Sequence, residues 1–379
     1  MINKSVFIAS LFSVLLVQGC SNARPDLDDL PRLEERQVEL KRSWKTSVDG
    51  NFGESSERFN LVAEDNALFL VTEKGTLYEL AQKDGHKNSK VETKYKASSG
   101  VTRNGDTLYF GTYDGFLVAV SLSTKEVLWE TVLSSEVLSE ASYAAGKLAV
   151  QTTDGRLSLL DAQTGAILWG AKEDIPALTV RGTSSPIIYQ GKVLAGFSNG
   201  KLNAYSLQSG ALQWSYEVGK PEGRYEIERL SDLDGRLVVN NGVVYAVAYN
   251  GNLVALSVSS GRPLWQRNIP SSVGLAVKND QLAVVDMQSK VILLNAKNGS
   301  EIWQNNELVN RDLISPEFFR DYLAVIDRES YIHLLDLTTG NIAARRLTND
   351  DVPPGSRLVT GSNQLFLLTP DADVTALSY

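Results

Sequence analysis

The strongest constraint on how this 379-residue chain folds is that it repeats itself. The stretches LYFGTYDGFLVAVSLSTKEVLW (108–129), LAVQTTDGRLSLLDAQTGAILW (148–169), VLAGFSNGKLNAYSLQSGALQW (193–214) and VYAVAYNGNLVALSVSSGRPLW (244–265) align without gaps. The frame continues more loosely at 282–303 and 323–344, with a partial copy at 68–85 before the set and another at 365–379 ending it, which makes eight. Self-similarity at a period of tens of residues marks units that cannot bury their faces alone and must be covered by their neighbours.

Within each copy an alternating apolar run reaches a D-G or N-G pair at Gly115, Gly155, Gly200 and Gly251, and a second alternating run leaves it. That pattern predicts a hairpin closed by a two-residue turn in which glycine supplies φ > 0. The second run ends at a T-G or S-G pair at Gly165, Gly210, Gly261 and Gly340, and a further strand carries tryptophan at 129, 169, 214, 265 and 303. A short run upstream, such as SPIIYQG before Lys192 or LVVNNG before Val243, brings each unit to four strands. Four antiparallel strands recurring every 38 to 51 residues, tryptophan to tryptophan, predict an all-β chain forming an eight-bladed β-propeller. The tryptophans are read as wedge-filling core rather than a ligand cage, each contributing roughly 1.5 to 3 kcal/mol of burial. The last copy stops at Tyr379 without its tryptophan strand, whereas Trp44, in LKRSWKTSV, precedes the first complete set. The N-terminal strand is therefore expected to complete the eighth blade, leaving no open seam in the ring.

GFSNG (196–200) fits the G-x-S-x-G elbow of α/β-hydrolases, which must follow a strand, open a helix and find a histidine downstream. The chain has two histidines, His86 and His333, and only His333 follows Ser198. It sits in YIHLL, a strand pattern in which a lone histidine is a packed or rim residue. KLNAYSLQSGALQW after the serine has no helical apolar stripe. GFSNG is thus the third copy of the hairpin turn, and no catalytic residue is assigned.

A net charge of −8 gives no basic footprint for nucleic acid. At the N-terminus, Lys4 and the apolar run from Ser5 to Val17 form a signal-type segment too short to span a bilayer stably, followed by Val17-Gln18-Gly19-Cys20. Cys20 is the single cysteine, so an intrachain disulfide is excluded. Its context resembles the lipobox of bacterial lipoproteins, which implies a signal peptide over 1–19 and a lipidated Cys20. Residues 20–37 then read as a solvated tether and 38–379 as the propeller. Ser21, where an aspartate would imply inner-membrane retention, points to the outer membrane, with the propeller in the periplasm.

The units, best seen in LLDAQTGAILW (159–169), resemble the pyrroloquinoline-quinone repeat, and the whole chain, leader included, is similar to the BamB family, lipoproteins of the machinery that inserts outer-membrane β-barrels. Two stretches outside the repeat carry the match, PALTVRGTSSP (176–186) and YEIERLSDLDGRLVVNNGVVYAVAYNG (225–251). Both begin as connections from the tryptophan strand to the next blade, after Trp169 and Trp214, and so are expected on one face of adjacent blades, where loops on a rigid ring bind. The resemblance implies docking to the POTRA domains of BamA through Leu178, Val180 and Arg181 from the first stretch and Asp232 and Asp234 from the second, and admits nascent outer-membrane proteins as further partners. It implies no cofactor. The competing reading is a quinoprotein dehydrogenase with quinone and calcium at the propeller axis, which ordinarily also has adjacent cysteines. No calcium loop, P-loop or zinc spacing is visible, and a WD40 scaffold is disfavoured by the absence of any W-D pair.

Overall fold

A computed structural model describes residues 30, 33, 37–50, 52, 58–176, 184–219, 233, 237–249, 251–271, 273–314, 316–348 and 357–379. The described residues contain no α-helix and fall into eight four-stranded antiparallel sheets. Seven sheets use consecutive strands: blade 1 spans 62–92, blade 2 97–132, blade 3 142–172, blade 4 187–217, blade 5 238–267, blade 6 275–305 and blade 7 317–347. Blade 8 joins three C-terminal strands from 358–378 to the N-terminal strand Lys41–Ser47, which pairs with Asp373–Ser378 from Lys41↔Ser378 to Ser47↔Asp373. The expected closure is therefore present, and Trp44 occupies the outer-strand position that the eighth copy lacks.

The middle strands of each blade are nearly continuous runs of buried residues, such as Leu157, Leu159 and Leu160 in blade 3. Their cores lie in the wedges between neighbours: Leu194, Leu202 and Ala204 of blade 4 share one cluster with Val244, Ala246 and Val254 of blade 5. A strand buried on both faces belongs to two such wedges, so the core is a ring of interfaces rather than one centre.

The outer strands carry the clasp between blades. Each pairs in register up to the tryptophan position and then shifts by one residue, as between Leu159↔Trp169 and Leu160↔Ile167. The same irregularity recurs in all eight sheets. A bulge of this kind re-aims the neighbouring side chain. Every indole donates its Nε1–H to a backbone carbonyl in the next blade: Trp44 to Gln82, Trp129 to Ala162, Trp169 to Leu207, Trp214 to Val258, Trp265 to Ala296 and Trp303 to Leu337, at 2.8 to 3.1 Å. The ring lies flat against the glycine three residues after that carbonyl. A Cβ on Gly210 would come within 2.7 Å of the Trp169 ring, and one on Gly261 within 2.6 Å of Trp214.

Two sequence expectations need correction. The turns between second and third strands are three-residue loops rather than two-residue ones: Thr152 N–H reaches Arg156 O, Gly155 N–H reaches Thr152 O, and Gly155 takes φ 80°. This is a turn followed by a left-handed glycine, which suits hairpins as well as the shorter form does. Gly251 does not adopt positive φ. Its glycine serves close packing instead, since a Cβ there would lie 2.7 Å from Ala248 Cβ and 3.1 Å from Val218 O.

Candidate functional site

In an up-and-down blade, the turn between the second and third strands and the connection to the next blade emerge on one face. On that face the turn of blade 4, Phe197–Gly200, is a meeting point. It closes with Phe197 N–H to Lys201 O and Gly200 N–H to Phe197 O, and Ser198 is half-buried within it. GFSNG is therefore a hairpin turn, as its repeat position requires, and His333 lies three blades away.

The connection that leaves blade 3 is fastened to this turn at its stem. Asn199 Nδ2 donates to Asp174 O at 3.1 Å and to Glu173 Oε2 at 3.4 Å, while Asn199 Oδ1 accepts the Lys201 amide at 3.1 Å. Glu173 Oε1 accepts from Asn203 Nδ2 at 2.8 Å and from the Tyr205 hydroxyl at 3.2 Å. Burial, reinforced by the Glu173 charge, pushes the Tyr205 phenol up to about 12, so it remains a donor at neutral pH. Further along, Ser185 Oγ donates to Glu140 Oε2 at 2.7 Å, and Arg357, arriving from blade 8, reaches Glu140 Oε1 at 2.9 Å.

The connection that leaves blade 4 begins on the same turn, with the Val218 and Gly219 amides donating to Gly200 O at 2.9 and 3.2 Å. It touches the turn again at Leu233, whose amide points to Phe197 O at 3.5 Å and whose side chain, 1% exposed, joins Leu194, Leu202, Val218 and Leu237 in the wedge between blades 4 and 5. Gly196 leaves room for it, since a Cβ there would stand 3.0 Å from Leu233 Cβ. Leu178, Val180, Arg181, Asp232 and Asp234 themselves lie outside the described residues, as does Cys20. What the structure brings together is their flanks. Sequence reasoning passed over Asn199, Glu173, Glu140 and Leu233; of these Leu233, an aliphatic residue between two aspartates, carried a legible signal.

Along the axis, a cavity of about 500 Å³ is lined by inner strands, including Val62, Val101, Tyr143, Ile187 and Val239, and by Arg357. Its one buried carboxylate, Glu140, is already engaged by Arg357 and Ser185. Among the described residues no group of three or more His, Cys, Asp or Glu side chains is arranged to hold a metal ion. A second polar assembly is buried in blade 7. His333 Nε2 lies 3.0 Å from Asp327 Oδ2, Arg311 Nε donates to the same oxygen at 2.8 Å and also pairs with Glu329, and Arg345 Nε donates to His333 Nδ1 at 3.3 Å. Desolvation lowers the pKa of His333. Burial alone would raise Asp327, but His333 and Arg311 together hold it below the usual carboxylate range. The neutral ring and ionised carboxylate satisfy one another inside the blade, so this histidine is a core residue and not a base on the surface.

Residues 73–305 match the family model described as "Outer membrane protein assembly factor BamB". An outer membrane protein assembly factor BamB from Yersinia pestis is 32% identical over 359 residues, covering 90% of this chain and 91% of that protein. The crystal structure of BamB from Moraxella catarrhalis superimposes with a TM-score of 0.80 at 24% identity, covering 90% of this chain and all of the other. Quinohemoprotein alcohol dehydrogenase from Comamonas testosteroni superimposes with a TM-score of 0.68 at 10% identity, over 89% of this chain and 76% of the enzyme. The ring architecture alone thus spans catalytic and non-catalytic proteins.

Proposed function

Because the chain belongs to the BamB family of outer-membrane protein assembly factors, we propose that its ring docks the periplasmic POTRA domains of BamA through the face on which blades 3, 4 and 5 meet. Membership makes the chain an assembly factor associated with the outer membrane rather than an enzyme. In the fuller reading, Cys20 carries the lipid anchor, residues 20–37 tether the propeller of 38–379 in the periplasm, and nascent barrel proteins are handed on while the ring holds BamA. Leu178 and Val180 supply the aliphatic contact, Arg181 the cation, and Asp232 with Asp234 the acids.

The observation that carries this reading is the convergence of both connections on one four-residue turn. Asp174 is bound to Asn199, Gly219 to Gly200 and Leu233 to Phe197, so the two stretches that distinguish this chain from a plain repeat share a foundation. A small apolar contact ringed by opposite charges is the composition of an interface hot spot, where truncation often costs about 2 kcal/mol or more. Leu178→Ala with Arg181→Ala, or Asp232→Ala with Asp234→Ala, is expected to weaken binding of purified POTRA domains at least tenfold, about 1.4 kcal/mol, with circular dichroism unchanged. Ser198→Ala should bind as wild type. Undiminished binding by both double variants would mean that another face docks. For the anchor, Cys20→Ser should leave the protein unprocessed or mislocalised.

A further inference from the structure

Among the described residues, those that fasten the connection between blades 3 and 4 take no part in the contact proposed above. At its outer end Asn199 Nδ2 holds Asp174 O, and the Glu173 carboxylate is anchored by Asn203 and Tyr205. At its inner end Glu140, 8% exposed, accepts from Ser185, while Ser139 Oγ reaches Ser184 O at 3.5 Å. Glu140 is held in turn by Arg357, 217 residues away in sequence. None of these polar contacts is demanded by the repeat: blades 2 and 5 have Val118 and Val254 at the third-strand position where blade 4 has Asn203. A buried carboxylate is costly to desolvate and persists only where it is well paired. Here its pairing fixes the end of a connection on the binding face.

We propose that Asn199 and Glu140 are positioning residues for docking, which fix Asp174 and Ser185 at the two described ends of this connection and so set the places from which it meets the partner. Pre-organisation raises affinity by removing the entropic cost of immobilising a loop on binding. The inference rests on the docking reading, and its test separates the two.

Four variants are compared with wild type for binding to purified POTRA domains of BamA and for thermal midpoint. Asn199→Asp keeps the oxygen that accepts the Lys201 amide, and with it the turn, but loses the donor to Asp174 O and sets a second carboxylate against Glu173. Glu140→Ala removes the acceptor for Ser185, whereas Glu140→Gln retains an acceptor while giving up the charge. The double variant Leu178→Ala, Arg181→Ala removes the contact itself. Asn199→Asp and Glu140→Ala should each weaken binding roughly three- to tenfold, and Glu140→Gln should recover most of the loss, a rescue that neither a direct charge contact with the partner nor a purely structural ion pair would give. Should the contact variant lose binding while Asn199→Asp and Glu140→Ala bind like wild type, the positioning role is overturned and the docking face stands. A contact variant that binds normally overturns the docking reading itself. Loss of binding by Glu140→Gln equal to that of Glu140→Ala also counts against positioning, and if Glu140→Ala fails to fold, Asn199→Asp decides.

Discussion

The seams between blades come in two kinds. At six of them a tryptophan crosses from one outer strand onto a glycine of the next blade. At two, from blade 1 to 2 and from blade 7 to 8, it does not. In blade 1 the position paired as Glu79↔Ser89 corresponds to Ala119↔Trp129 in blade 2, so Ser89 stands where the indole would be. The turn it would cover in blade 2 has Lys125, at φ 61°, in place of glycine. In blade 7 Ala344 takes the position, and Tyr379, directly after the third strand of blade 8, packs edge-on against Phe319 and Tyr322 of blade 7. The lesson is that the glycine answers to the indole rather than to the turn. A non-glycine residue tolerates the left-handed backbone at Lys125, yet no side chain fits under a tryptophan ring. Both unclasped blades also place a cation directly after the missing indole, Lys90 with Asp49 and Tyr78 in blade 1 and Arg345 with His333 and Asp327 in blade 7. The charged pair of the first network, Lys90 with Asp49, is exposed, whereas His333 and Asp327 of the second are buried, so they do not share one energetic role.

The largest break in this comparison would come from removing a clasp together with its strand. Deleting through Val48 takes away Trp44 and the outer strand of blade 8, and should cost more than about 4 kcal/mol, whereas deleting residues 21–36 should leave thermal unfolding almost unchanged. Equal midpoints for the two truncations would refute the ring closure as a source of stability. Next in size, Gly261→Ala puts a methyl into the Trp214 ring at a residue with φ 68° and should cost about 2 to 4 kcal/mol in denaturant titration. Lys125→Ala, at the equivalent turn without an indole, should stay within about 0.5 kcal/mol. Similar losses for both would show that the turn alone demands glycine.

A smaller effect sharpens the same point by building a clasp. Ser89→Trp should destabilise the protein on its own, because Lys125 occupies the landing site, and Lys125→Gly added to it should recover stability with an interaction energy of about 1 to 2 kcal/mol in a double-mutant cycle. Additive effects would mean that the two positions do not meet. The smallest effect concerns the charged alternative in blade 7. Burial keeps the folded-state pKa of His333 below its ordinary 6.5, so the unfolded chain binds the extra proton as pH falls; the stability gained is complete above about pH 6.5 and is lost below it. Asp327, depressed in the folded protein, adds a further loss only as pH falls past about 3.8. His333→Gln should therefore flatten the stability profile between pH 6.5 and 5 by about 1 kcal/mol, and an unchanged slope would mean that this ring does not titrate with folding.

Much of this was visible in the chain itself, since eight copies, the tryptophan spacing and the stray Trp44 are counted in sequence and ring closure follows from them. Turn length was not, because D-G and N-G pairs serve two- and three-residue loops alike and only the partner of the Thr152 amide distinguishes them. Of the binding face, the two stretches that depart from the repeat were legible as departures.

Sequence by itself determined what is periodic and local: strand alternation, hairpin chemistry, the number of blades and which one was incomplete. Such features depend on residues a few positions apart, so the pattern records them directly. Only the tertiary structure decided which groups share a site. Arg357 meets Glu140 across 217 residues, Leu233 drops into a wedge begun by Leu194, and one turn gathers three strands of backbone, Asp174, Gly219 and Leu233. Those encounters depend on how the blades are set around the ring. Radial packing of buried faces fixes that arrangement, and no spacing along the chain encodes which side chains it brings together.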